Sequence, residues 1–565
     1  MKTLLGVTAA LVAAVAVLVA VTLPPKRIAL MPGRDGTIAG IVHVHSNRSD
    51  GSSSPDEIAA AAARAGVKFL VFTDHGDATR TPDPPVYRSG VLCLDGVEIS
   101  TSGGHYIALD MPAAPYPLAG EARDVVEDVK RLGGFGIVAH PDSPKPQLRW
   151  TEWTAPFDAI ELLNPDTSWR ILAQQPRWRE RSQLFAALVD YPFRAPETMA
   201  NLLQPSGSVY SWLALAERRR VVAIAGLDAH ARINMRGDPG EAKGWMLPIP
   251  GYEPAFRMLS IHVAIDRDLT GNAATDGSVV MRGIRGGHLY TVVDGLASPP
   301  AFDFTATNEF GTVHEGDQLS AGSAVALRIR SNAPARYTTL VHEGTKVIAQ
   351  ATDPQDMTVH GGAQPAVYWV EIVSNGPRPI TWLRSNPIYV RGTAALTQAA
   401  TRLPPKQFVP LFSGSIDSWR TEHDPTSVTA AEVINGTTGK EMQFRFGLAG
   451  GPPAGQVAAL VVDTPKGVPD ATRLAVSMRA ERPMRVSVQL RGGAGGSERW
   501  ERSVFVDRFE SEKTIYFDEL TPVGNTQSWK PPLDAIRSVM FVVDTTNAKP
   551  GTSAKLWIKK AELQR

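Results

Sequence analysis

The sequence predicts a multidomain chain: an α/β region built as a parallel sheet or barrel, followed by two all-β sandwiches. Three observations predict it. At 565 residues the chain is too long for a single core. Up to about residue 297, apolar runs of strand length alternate with helical patterns, which is how buried parallel strands and their crossovers read. From about Pro300 helical periodicity disappears, and short alternating strands separated by Gly, Pro and Asn take over.

The N-terminus reads differently from either region. Leu4 to Leu23 carries no charge, and 20 such residues span a bilayer core as a helix. No small-x-small cleavage site separates this run from Pro24, so residues 1–30 are expected to be an uncleaved signal-anchor rather than a cleaved signal. The expected location is membrane-anchored with extracytoplasmic domains, or secreted. Lys2 before the run against Lys26, Arg27 and Arg34 after it gives the positive-inside rule no case for export. Charge is balanced, with 58 basic and 57 acidic residues, so no nucleic-acid patch is expected. Cys93, the single cysteine, lies in the apolar run "VLCL" and is expected to be a buried strand thiol.

Element by element, "GIVHVH" alternates as a strand, which points His43 and His45 to one face. "SSPDEIAAAAARAG" then reads as a helix with a capping box, Ser54 and Glu57, Pro55 at its first position and Gly66 as its stop. "VKFLVFTDHGD", "VLCLDGVEIS", "HYIALDM", "GGFGIVAHP", "FDAIELLNPD" and "RVVAIAGLDAH" read as further strands. "EARDVVEDVKRLGG" and "PETMANLLQP…WLALAERRR" read as helices between them.

The histidines are not scattered. Of 12 in the chain, the first six are His43, His45, His75, His105, His140 and His230, and all but His105 sit at or near the C-terminal end of an apolar strand. His105 follows a Gly-Gly turn. Asp50, Glu98 and Asp228 keep the same company, and strand C-termini are where barrel active sites are built. Imidazole and carboxylate together suit zinc, manganese or iron, and this many ligands suggests a cluster of up to three ions. The later histidines, including His262 and His288, form no ligand pattern.

HxH, Asp50, "TDH", "GVEIS", "GGH", "AHP" and "GLDAH" together resemble the PHP family, named for polymerase and histidinol phosphatase, over residues 36–297. The resemblance implies a distorted (β/α)7 barrel and a metal-dependent phosphoesterase. It implies two or three divalent ions (Zn, Mn or Fe), the first held by His43, His45, Glu98 and Asp228. Glu98 would bridge to a second ion, held also by His105 and His140, and Asp50, His75 and His230 would hold the third. Catalysis would run through Glu98 and Asp228 by way of a metal-activated hydroxide attacking a phosphate mono- or diester. Asp74 is expected to support the ligands from behind rather than to be one. Arg232 and Arg80 are candidates for contacting the phosphate of the substrate.

Downstream, residues 300–392 are expected to form an Ig-like sandwich and 393–407 a linker. Residues 408–565 are expected to form a jelly-roll sandwich, similar to galactose-binding-like carbohydrate modules. Trp419, Trp500 and Trp529 either fill its core or stack on a sugar. The alternative to a hydrolase of phosphate esters is a non-catalytic surface protein binding a glycan or partner, or a hydrolase using the same cluster on another substrate.

Overall fold

The computed structural model describes residues 2–33, 36–234, 246–352, 355–376, 378–392, 402–452, 455–492, 497–526 and 528–565. The chain is mostly β-sheet and forms two compact units, Met1–Pro112 with Glu121–Thr397, and Ala113–Gly120 with Gln398–Arg565.

In the first unit nine strands position the histidines. They are β1 Thr37–Val44, β2 Phe69–Phe72, β3 Val91–Thr101, β4 Gly104–Leu109, β5 Phe135–Val138, β6 Ala159–Leu163, β7 Val222–Ala225, β8 Ser260–Ala264 and β9 Leu289–Val292. Strands β1, β2 and β3 are parallel, as are β5, β6 and β7. Strand β4 is antiparallel to both β3 and β5, so the expected parallel sheet is in fact mixed. The cause is local. Thr101 pairs with Gly104 across Ser102 and Gly103, and so short a connection permits only a hairpin. Past β7 the chain returns to β1: Leu227 N–H donates to Val42 O at 2.9 Å and His45 N–H to Ala229 O at 3.1 Å. The strand ends thereby curl around the histidines. Val42, Phe69, Leu70, Ile137 and Ile224 form the core beneath them, and Cys93 is buried among them as expected.

Among the described residues the helices of this unit include α1 Lys2–Thr22, α2 Pro55–Ala65, α3 Ala122–Arg131, α4 Pro165–Gln174, α5 Trp178–Ala200 and α6 Val209–Ala216. A further helix, Ala273–Gly286, packs between β8 and β9 in the chain. Helix α2 has the expected capping box, with Ser54 and Glu57 bonded reciprocally and Gly66 left-handed at φ +86°. Such a cap is worth about 0.5–2 kcal/mol. Helix α5 starts well before the expected "PETMANLLQP" segment and bends at Arg194, between Pro192 and Pro196, where each proline removes a helical donor. The apolar N-terminal run is helical as α1, although among the described residues no helix is long and apolar enough to cross a membrane.

The expected boundary near residue 300 does not separate two sheets. Tyr290 pairs with Ser385 and Val292 with Leu383, so β9 continues directly into strand Thr381–Ser385. The pairing satisfies backbone groups that would otherwise line an open edge. Tyr290 and Val292 share a core with Phe304, Leu327, Val370 and Trp382, covered by a second, four-stranded sheet that includes Phe302–Asn308 and Val325–Ser331. The anticipated linker 393–407 falls largely outside the described residues.

The second unit is a sandwich of two six-stranded antiparallel sheets, as anticipated for residues 408–565. It also takes in the excursion 113–120, where Asn547 Nδ2 donates to Pro117 O at 3.0 Å. Trp419 and Trp500 belong to its core, their indole N–H groups donating to Leu411 O at 3.0 Å and Ser528 O at 2.8 Å. That leaves Trp529, 73% exposed, as the tryptophan of the three that faces solvent.

Candidate metal centre

All nine predicted ligands converge. Glu98, 1% exposed in the middle of β3, is the hub. Its Oε1 lies 2.8 Å from His105 Nδ1 and 2.9 Å from His140 Nε2. Its Oε2 lies 3.2 Å from the Nε2 atoms of His43 and His45, and 3.4 Å from His75 Nδ1. Asp228 Oδ1 reaches the same two Nε2 atoms and His230 Nδ1, each at 3.4 Å. Asp50 sits 3.1 Å from His230 Nε2 and 3.3 Å from His45 Nδ1. His45 and His230 stack with centroids 4.2 Å apart.

The backbone bends to bring them there. Plain alternation does not place both His43 and His45: the β1–β2 register shifts between Val42 and Val44, leaving His43 in a bulge at φ +69°. His140 at φ +29° and Asp228 at φ +52° also occupy the left-handed region. For residues other than glycine this conformation costs about 1–3 kcal/mol each, and such strain gathers at functional sites.

Three imidazoles are oriented from behind. His43 Nδ1–H donates to Glu161 Oε1 at 2.6 Å, His140 Nδ1–H to Leu148 O at 3.2 Å, and His230 Nδ1–H to Asp228 O at 2.9 Å. Each bond turns Nε2 toward the carboxylates, so that loss of the Nε2 proton would expose the lone pair a metal ligand needs. Glu161 was not among the sequence-predicted residues. Buried in β6, it also accepts from His140 N–H at 2.7 Å and Asn164 Nδ2 at 3.0 Å. Its one sequence signal is a lone acid inside the apolar run "AIELL". Gly226 makes room for it, since a Cβ there would lie 1.6 Å from Glu161 Oε1. Asp74 accepts from Ser46 N–H at 2.8 Å, Ser46 Oγ at 2.7 Å and Ser49 Oγ at 2.7 Å, holding the loop that carries Asp50.

Electrostatics follow from this packing. Burial opposes charge on His43 and His45, yet the carboxylates outweigh it. His43 is raised well above the usual imidazole range by Glu161, Asp228 and Glu98, and His45 is raised to about 9 by Asp228 and Glu98. His140 is raised too, against burial, by Glu98. Glu98 and Asp228 are held well below the carboxylate range despite burial, chiefly by His43. His75 shifts down because burial prevails there.

The donors fit divalent ions. Three sets have ligand atoms within 4.8 Å of one another: His43, His45, Glu98 and Asp228; His45, Asp50, His75 and His230; and His75, Glu98 and His105. The first is the expected set, the second adds His45, and the third contains His75, with His140 bonded to the same Glu98 oxygen as His105. Both ring nitrogens of His45 are buried without a well-aligned hydrogen bond, as a ligand's would be once nothing else occupies them.

No family model and no curated protein matches the chain. Among solved structures it is similar to a family 11 carbohydrate-binding module of a cellulosomal cellulase of Clostridium thermocellum, at 17% identity and TM-score 0.24, over 29% of this chain and 95% of that one. It is also similar to a non-crystalline cellulose specific module, at 10% identity and TM-score 0.22, over 28% of this chain and 92% of that one. An exo-beta-agarase matches at 8% identity and TM-score 0.20, over 28% of this chain and 25% of that one.

Beside the cluster, His75 and Asp74 line a cleft of about 130 Å³ together with Arg48, Arg80 and Asp95. Arg80 donates to Asp95 Oδ2 at 2.7 Å and Arg48 to Asp83 Oδ2 at 2.6 Å, so an anion entering here competes with carboxylates already in place. Arg232 is half-buried two residues beyond His230 and is engaged within the protein.

Proposed function

We propose that the first unit is a PHP-type metal-dependent hydrolase acting on phosphate esters. The observation that carries the reading is Glu98, whose two oxygens lie within 3.4 Å of five imidazoles. A buried carboxylate so surrounded is the arrangement that bridging neighbouring cations requires. Divalent ions (Zn, Mn or Fe), when bound, supply Lewis acidity that acidifies water and offsets charge on a phosphoryl group. His43, His45, Glu98 and Asp228 would hold one, Asp50, His75 and His230 another, and His105 and His140 would share Glu98 with a third. Glu161 fixes the His43 ring, and Asp74 fixes the loop bearing Asp50. The cleft beside His75, with Arg48 and Arg80 on its wall, is where the phosphorylated substrate would enter.

The test is a panel of phosphate mono- and diesters offered to the chain with and without added metal. Metal-dependent hydrolysis that disappears in Glu98→Gln supports the reading. A loaded chain that cleaves none of them while hydrolysing another class of ester moves the cluster to a different substrate.

A second reading concerns the other unit, as a module binding a glycan, and the observation favouring it is the exposed Trp529. Indole faces stack on sugar rings, and Trp529→Ala should abolish retention on polysaccharide gels if this reading holds. The two readings are compatible in one chain. We propose further that α1 attaches the protein to a membrane, since Val7, Val12, Val15, Val17 and Val21 are exposed along a helix whose one charged residue is Lys2 at its start. Retention in the membrane fraction after a carbonate wash tests it.

A further inference from the structure

Helix α5 carries an exposed apolar stripe that the hydrolase does not use. Trp178 is 77% exposed, Phe185 62%, Leu188 48% and Phe193 61%. Trp178, Arg181, Phe185, Leu188 and Pro192 recur at three- and four-residue steps, so they share one helical face, and each is exposed. Arg177, Arg179 and Arg181, all exposed, surround Trp178, with Glu180 the single acid among them. Soluble surfaces rarely leave so many large apolar side chains together.

The position of α5 says what covers this face. It packs against α1. Thr22 Oγ1, in the last turn of α1, donates to Asp190 Oδ1 at 3.0 Å. Arg194 donates to Pro24 O, and Arg27 N–H to Glu197 Oε1 at 3.2 Å. The C-terminal half of α5 is thus tied to the point where the chain leaves the apolar helix. Trp178 lies 12 residues before Asp190, about 18 Å away along the helix axis. A helix fixed at the foot of the segment read as an anchor, with aromatics on one face and arginines at its free end, has the composition of an interfacial helix.

We propose that α5 lies on the bilayer surface, its Trp178–Phe185–Leu188 face among the acyl chains and Arg177 and Arg179 at anionic headgroups, which Arg181 reaches from the apolar face by extending its long side chain. This rests on the anchor reading of α1, and it goes beyond it by giving the catalytic unit a fixed face toward the membrane. Two attachment points restrict rotation about α1, which a single helix followed by a short segment does not.

Full-length protein is reconstituted in phosphatidylcholine vesicles containing phosphatidylglycerol, with acyl chains brominated near the headgroup, and tryptophan quenching is read. Trp178 is one of 12 tryptophans, so the expected result is partial quenching in the wild type, most of it lost in Trp178→Phe and none lost in Trp529→Phe. Phe185→Ser should reduce it through weaker seating of the helix. Omitting phosphatidylglycerol should also reduce it. Quenching unchanged by Trp178→Phe overturns the inference, and a second copy or another protein on this face would give that outcome. A wild-type chain that fails to sediment with the vesicles overturns the anchor and the inference together. Hydrolysis of a soluble ester, read in the same samples, reports separately on the metal centre.

Discussion

His43 Nδ1 and Glu161 Oε1 lie 2.6 Å apart with neither residue exposed to solvent by more than 1%. A carboxylate behind a buried imidazole fixes which ring nitrogen faces forward and how the ring is turned. It also makes that nitrogen a better donor to a cation. Glu161→Gln keeps the shape but removes the charge. Metal affinity should fall about 10–100-fold, with secondary structure retained. Titration with a metal-chelating competitor reads this directly, and unchanged affinity would show that Glu161 is only filling space.

Glu98→Gln probes the hub itself. Its charge is held by five imidazoles in the metal-free chain and would separate two cations in the loaded one. Removing such a preorganised electrostatic group costs about 10²–10³ in kcat. Steady-state kinetics at saturating metal should show that loss with KM little changed. Near-normal turnover would remove Glu98 from the chemistry.

Proton release follows from the raised imidazoles. In the metal-free chain His45, raised to about 9, and His43 hold protons at neutral pH. Cation binding requires the lone pair, so loading at pH 7 should release protons, and affinity should weaken as pH falls below about 9. Calorimetry in buffers of different ionisation enthalpy counts those protons. Stability should show opposite trends in the two forms. For a raised group the stabilisation is fully present below the unfolded value of 6.5 and is lost as pH rises through the folded one. Chelated protein should therefore melt at lower temperature at pH 9 than at pH 6.5, and loaded protein should not.

Asp294 offers a pH effect away from the cluster. Burial pushes it up to about 6, although Ser260 Oγ donates to it at 2.6 Å and Ser298 Oγ at 3.1 Å. An acid raised on folding is a liability above its folded value, and the liability fades as pH falls from about 6 toward 3.8. Relative to Asp294→Asn, the wild type should lose stability between pH 5 and pH 7.5. Denaturant unfolding of both proteins across that range gives the difference, in which the contribution of the cluster cancels. A difference that is flat with pH would show Asp294 to titrate normally.

The convergence of the nine candidate residues was legible because their chemistry is visible in the residue types and their spacing repeats at strand ends. Helix α2 was legible for a similar reason: its capping box and Gly66 are local signals. Glu161 was not, since a single acid in an apolar strand looks like an exposed edge residue until its partners are placed. The bulge at His43 leaves no trace in an alternating pattern. The fusion of β9 with Thr381–Ser385 is a pairing across some ninety residues, and no local pattern records which strands become neighbours. Helix α5 was found only at its end because Pro192 and Pro196 read as breaks, whereas the helix bends at Arg194 and continues.

The most direct test of the central claim is the metal content of the full-length chain, purified without chelators and measured by elemental analysis. The account predicts about two to three ions of zinc, manganese or iron per chain, falling by at least one in the double variant His43→Ala, His45→Ala. Less than one ion per wild-type chain, with no uptake on adding those metals, would contradict it.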